Sequence, residues 1–263
     1  NGEITVDLKD AGSVSDRYPI LKKPFLRGVV SLVESLSYGM KALSFSAQAS
    51  GEEEEGEESM SSLELAGTIA VSVGLAVLLF VVLPTGAMKL LQNEGFSPMV
   101  LNLCEGLLRL GIFLLYIWGI SRQKDIQRVF QYHGAEHKTI YTYEHGLPLR
   151  VENVRPFSTL HPRCGTNFLM IVMLISIFIF TFLGWPSLWE RILSRILLMP
   201  VVAGISYEII RFAGKHMDKP WVRAAILPGL ALQKLTTRQP DDDQIEVAIA
   251  SLKAVLPPEE IIE

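Results

Sequence analysis

The hydrophobic positions of this chain gather into four long blocks, and each predicts a helix long enough to cross a bilayer, for which about 20 apolar residues suffice. The first covers residues 65–88, uncharged between Glu64 and Lys89, with Pro84 and Gly86 placed to bend its far end. The second, 98–120, contains Glu105 and Arg109, four residues apart on one helical face and so able to pair. The third, 167–189, carries no charge before Glu190, and the fourth, 192–212, contains Arg195, Glu208 and Arg211. A shorter apolar run, 221–235, is interrupted by Pro228 and suits a surface or re-entrant segment.

Ahead of these blocks the pattern changes. Ile4, Val6 and Leu8 alternate with polar residues, which predicts a strand. Because the chain opens on Asn1 within that alternation, we read it as lacking its native N-terminus. Residues 24–48 place Phe25, Val29, Leu32, Val33, Leu36, Met40 and Leu43 at helical spacing among serines and charges. Such a helix is too polar to span, and it suits the bilayer surface or the side of the domain. Residues 50–62 crowd six glutamates, Glu52 to Glu55 with Glu57 and Glu58, whose mutual repulsion predicts a flexible linker. The expected fold class is therefore mainly α, a polytopic membrane protein with about four transmembrane helices, an N-terminal amphipathic helix and a metal-site loop. Its parts are an N-terminal segment (1–49), the linker (50–62) and a membrane domain (63–263) with a loop at 121–166 and a tail at 236–263.

Composition agrees: hydrophobic residues make up 49% of 263 residues, and the mean hydropathy is +0.31. The net charge of −4 reflects mainly the glutamate tract, and no basic block points to nucleic acid. Two cysteines, Cys104 and Cys164, build no disulfide framework and fit a reducing compartment or a thiolate ligand. All of the 24 Lys and Arg except Lys89, Arg109, Arg191 and Arg195 fall on one side of a four-span topology. The basic side faces the cytoplasm, so the 121–166 loop is expected there, at a bacterial inner membrane.

That loop carries the candidate chemistry. Residues 125–144 predict a helix, with Asp125 near its start and Gly146 just past its end. On it, Tyr132-His133-Gly134-Ala135-Glu136-His137-Lys138 contains His-x-x-Glu-His, and both histidines share the apolar stripe of Ile126, Val129, Phe130, Ile140 and Tyr141. Two imidazoles four residues apart can hold one divalent metal, zinc for preference, and Glu136 beside them can take a proton from the water it activates. The bland alternative is a pair of core histidines with hydrogen-bond partners. A third ligand comes from one of two places. His161 and Cys164, three apart in a Pro- and Gly-containing loop, are one pair of candidates. Glu208 is the other, a glutamate near a membrane helix end where it is costly unless paired or functional. The signature of inverted zinc hydrolases, which take a distant downstream glutamate, fits Glu208, whereas its structural alternative is an ion pair with Arg211 or Arg109. His145 and His216 suit helix-end and interfacial roles. Arg150, Arg155 and Arg163 suit either a phosphate or carboxylate group or the basic collar that fixes topology.

Three motifs in order, the Tyr132–Lys138 segment, Arg155-Pro156 with His161 to Asn167, and Ser206-Tyr207-Glu208-Ile209-Ile210-Arg211, resemble the YqhQ-like family of bacterial membrane proteins. The resemblance covers nearly the whole chain. It implies a predicted metal-dependent enzyme built on a domain of unknown function. Members usually begin with a Gly-Gly-Gln-Ala-Val-type segment, which this sequence does not contain. The expected activity is metal-dependent hydrolysis, with a membrane peptide or lipid-linked molecule as substrate. Its rivals are a scaffold with a structural metal at His133, His137, His161 and Cys164, and a solute pathway lined by Glu105, Arg109, Glu208 and Arg211.

Overall fold

The computed structural model describes residues 4–10, 12–51 and 62–262. Its principal helices are α1 (Leu26–Gly51), α2 (Ser62–Val77), α3 (Leu83–Leu91), α4 (Pro98–Ile120), α5 (Lys124–Glu144), α6 (Gly165–Thr181), α7 (Leu188–Lys215), α8 (Pro220–Thr236) and α9 (Asp242–Val255). No strand occurs among the described residues, and residues 4–10 have no regular structure. The alternation at Ile4, Val6 and Leu8 fails as a strand for lack of a partner, since a lone extended segment leaves its backbone groups without a ladder. Most of the glutamate linker lies outside the described residues.

Among the described residues, three helices are long and apolar enough to cross a membrane: Ala70–Glu94, Pro98–Ile120 and Leu188–Lys215. The first joins α2 to α3 through a π-helical stretch, Leu78–Val82. Pro84 has no N–H for the carbonyl four residues back, and the wider π turn, closed by Leu83 N–H on Leu78 O, absorbs the mismatch. The block expected at 167–189 forms a shorter helix, Gly165–Thr181. Gly184 and Pro186 stop it, so its 17 residues rise about 25 Å, short of a ~30 Å hydrocarbon core.

The chain divides into two units. One comprises Ala11–Phe113 and Met173–Glu208. In it α1 crosses α7 at two glycines: a Cβ on Gly28 would lie 2.6 Å from Tyr207 Cβ, and one on Gly204 would meet Phe25 at 3.0 Å. Small residues let the backbones approach this closely. Further along α1, Val33, Leu36 and Met40 are exposed at helical spacing. Asn102 of α4 donates to Leu183 O at 2.6 Å and pins the turn after α6.

The other unit comprises Asn1–Asp10, Leu114–Val172 and Ile209–Glu263. Its core joins Ala135 of α5, Leu149 and Val154 of the following segment, and Ile245 and Ile249 of α9. α5 ends in a Schellman turn: Gly146, at φ 64°, donates to Tyr143 O, and Leu147 donates to Thr142 O. α9 begins with a capping box between Asp241 and Gln244. α8 runs through Pro228 as a helix, and its Val222, Ile226, Leu232 and Gln233 are buried. This run is thus a packed element of the unit.

Two close approaches fix the geometry around α5. Arg238 N–H donates to Phe130 O at 2.9 Å, and a Cβ on Gly134 would come 2.0 Å from Arg238 O. Between α8 and α6, a Cβ on Gly229 would come 1.5 Å from Asn167 Oδ1, and the buried Asn167 donates to Pro162 O at 2.7 Å. Gly229→Ala should therefore cost about 1–3 kcal/mol, the usual price of overpacking. Gly86→Ala, with nothing within 4 Å of the added methyl, should be neutral or slightly stabilising. Thermal unfolding of the two detergent-solubilised variants checks this; equal midpoints would be inconsistent with the packing described.

Candidate metal centre

Each residue of the His-x-x-Glu-His helix meets a different environment. His133 and His137 point to one side of α5, Gly134 admits the crossing main chain, and Ala135 is fully buried in the core. Lys138, also buried, donates to Arg155 O at 2.7 Å, and burial holds its ammonium below its ordinary pKa. Glu136 is the exposed residue of the set.

Both imidazoles are oriented by main-chain carbonyls. His133 Nδ1 lies 2.8 Å from Thr236 O, at the end of α8. His137 Nδ1 lies 2.5 Å from Thr159 O, in the loop before α6. A carbonyl only accepts, so in each ring Nδ1 carries the proton and donates. Nε2 is left to face the centre, the arrangement in which metal-binding histidines are ordinarily held.

Cys164 completes the group. Its Sγ is 3.2 Å from His133 Nε2 and accepts from Thr166 N–H at 3.4 Å. The donor atoms of His133, His137 and Cys164 all lie within 4.8 Å of one another. Around a tetrahedral zinc with bonds of ~2.1 Å to nitrogen and ~2.3 Å to sulfur, donors sit roughly 3.5 Å apart, so a small contraction suffices.

Burial alone would push the Cys164 thiol up, but hydrogen bonds from His133 and His137, with the nearby His133 charge, bring it down to about 5. Burial likewise disfavours imidazolium at His133, yet the Cys164 sulfur beside it raises its pKa above the ordinary value. The two groups thus hold each other toward thiolate and imidazolium.

The other predicted residues are placed as follows. His161 is buried with its ring centroid 5.7 Å from that of His137, and its Nε2 is 3.5 Å from Glu144. Burial, opposed by Glu144, leaves its pKa below the ordinary value. It is not among the three converging donors. Glu208 belongs to the other unit, where Arg27 donates to both of its carboxylate oxygens. Arg27 is thus an ion-pair partner of Glu208. Arg109 pairs with Glu105 as the four-residue spacing predicts. Arg155 pairs with Asp242 and Arg163 with Glu144. His145 caps its helix by donating to Tyr141 O at 2.7 Å.

A cleft of about 450 Å³ opens beside the three donors, and Glu136, Glu144, His161 and Arg163 also line it. Its loop wall is fixed by Gln233 of α8, which accepts from His161 N–H and donates to His161 O, both at 2.8 Å. Tyr141 adds a bond to Leu160 O at 3.0 Å. Gln233, Thr236 and Thr159 were not singled out in the sequence. The two threonines act through main-chain oxygens, which leave no mark on it. Gln233 did leave one, as the single amide side chain of the 221–235 run.

Residues 23–258 match the family described as protein of unknown function (DUF1385). The chain belongs to this family. It is also 38% identical over 249 residues to the uncharacterized protein YqhQ of Bacillus subtilis (strain 168), an alignment covering 90% of this chain and 78% of that relative. The resemblance carried by the three motifs is therefore borne out. No solved structure matches the chain.

The thiolate can be titrated directly. In a Cys104→Ala background stripped of metal by chelator, alkylation of Cys164 by iodoacetamide should reach half its limiting rate near pH 5 and fall away below it, as the thiolate protonates. His133→Ala should move that midpoint up by about one unit or more. A midpoint above 8 in the parent would contradict the pairing.

Proposed function

We propose that this DUF1385 protein is a metal-dependent membrane hydrolase in which His133, His137 and Cys164 hold one divalent ion, zinc for preference, and Glu136 is the general base. One observation carries the reading: three convergent N, N and S donors, each imidazole presenting Nε2, border an open cleft that also holds a free carboxylate. Three protein ligands with an open position characterise catalytic zinc, whereas structural zinc is closed by four. His161, the fourth residue of the structural alternative, is turned to Glu144, which favours the open site.

Bound there, such an ion supplies Lewis acidity that makes water nucleophilic near neutral pH. The residues do the rest. Main-chain carbonyls of Thr236 and Thr159 keep both rings in one tautomer and raise their basicity. Glu136, exposed in the cleft, accepts the proton released by the attacking water and returns it to the leaving group. Arg163, on the cleft wall and held by Glu144, is placed to neutralise an anionic part of a substrate.

The three apolar helices support a membrane location. Counting the apolar Gly165–Thr181 helix as a fourth, shorter crossing puts residues 121–166 with the basic side of the chain. That side is the cytoplasmic face of a bacterial inner membrane. A substrate reached there is a membrane peptide or a lipid-linked molecule.

Metal analysis of protein purified without chelator tests the proposal. Wild type should hold close to one zinc or equivalent ion per chain, and His137→Ala and Cys164→Ser should lose most of it. Glu136→Gln should keep the ion while hydrolysis of peptide or lipid-linked ester panels falls about 10²–10⁴-fold. A metal-free wild type refutes the centre. A fully active Glu136→Gln refutes only the assignment of the base.

A further inference from the structure

The unit formed by Ala11–Phe113 and Met173–Glu208 contains a second polar cluster, independent of the metal centre. Glu105 of α4 is 1% exposed. Its carboxylate accepts from Thr85 Oγ1 at 3.1 Å, Arg109 Nη2 at 2.9 Å and Arg191 Nη2 at 2.7 Å. It also accepts from Arg195 Nη1 at 2.7 Å and Nη2 at 2.9 Å. One carboxylate thus faces three guanidiniums, and no other acidic side chain pairs with them among the described residues. Arginine stays charged in proteins, so the cluster keeps two positive charges in excess.

Aromatic faces relieve part of this. Arg191 lies 3.7 Å over Trp185, and Arg195 lies 5.6 Å from the Phe180 centroid. They do not neutralise it. The buried Nε–H groups of Arg109 and Arg191 have no hydrogen-bond partner, and Arg191 is more than nine-tenths buried. Beside Arg109 is a cavity of about 40 Å³, lined also by Asn102, Glu105, Ser176 and Arg195. It has room for a few water-sized groups, the scale of phosphate oxygens.

Unpaired cationic charge inside membrane helices is costly, and such charge marks a binding or transport function. Glu105 is about 10 Å from the start of α4, and Arg191 and Arg195 are in the first two turns of α7. At that depth long side chains reach the headgroup level. We propose that Arg109, Arg191 and Arg195 form a phosphate-binding site whose anion completes the charge balance that Glu105 begins. Guanidinium forks match phosphate oxygens in pairs. Two excess charges match a phosphomonoester, which carries about −1.5 to −2 near neutral pH. The phosphate group belongs to a lipid headgroup or to a free phosphate.

The full chain in neutral detergent is titrated with phosphatidic acid, with phosphatidylcholine as control, and separately with inorganic phosphate. Lipid adducts are counted by native mass spectrometry and phosphate binding is read from thermal unfolding. Phosphatidic acid should bind at one per chain, at least tenfold more tightly than phosphatidylcholine. Arg109→Gln, which leaves Glu105 its bonds to Arg191 and Arg195, should weaken it tenfold or more while the protein still unfolds cooperatively. Binding by phosphatidic acid alone assigns the group to a headgroup, and stabilisation by inorganic phosphate as well assigns it to a free phosphate. The site is overturned if neither probe exceeds the phosphatidylcholine control. It is also overturned if Arg109→Gln and Arg195→Gln both bind like wild type.

Discussion

Two hydrogen bonds from imidazole to main chain carry the His133–His137–Cys164 cluster. His133 to Thr236 O and His137 to Thr159 O decide which nitrogen of each ring is left to face Cys164. Were either ring to take the other tautomer, its carbonyl partner would face a lone pair and its centre-facing nitrogen would carry a proton. The rest of the unit holds those two oxygens still. Gln233 clamps the 159–161 loop to α8, Asn167 braces the turn before α6 against Gly229, and Arg238 locks the segment after α8 onto α5.

The heptad around His133 is therefore a structural as well as a chemical motif. Its glycine exists for a crossing backbone, its alanine for the core and its lysine for a carbonyl at a short helix end. Only His133, Glu136 and His137 turn toward the cleft. A pattern search that weighs all its positions alike would misread the glycine and alanine as part of a reactive loop.

Much of this was legible beforehand because it rests on local rules. Periodicity gave α5 nearly to the residue, with Gly146 as its stop, and it gave the apolar helices α4 and α7. The helix spacing also gave the His133–His137 pair and the Arg109–Glu105 bridge. What escaped was long-range. The pairing of Glu208 with Arg27, some 180 residues away, left no local signal. The third apolar block ended early because Gly184 and Pro186 outweighed its hydrophobicity. The N-terminal alternation looked like a strand only because sequence does not show whether a neighbouring strand exists.

The His133–Thr236 bond spans 103 residues of chain. During synthesis the helix bearing His133 and His137, and then Cys164, are made before α7 and α8. Until residue 236 follows them, nothing selects the His133 tautomer, and Gln233 has not yet gripped the His161 loop. The centre is thus a late product of biogenesis, assembled after the apolar helices have been handed to the membrane. A chain truncated before α8 would keep every candidate ligand and still lack the site.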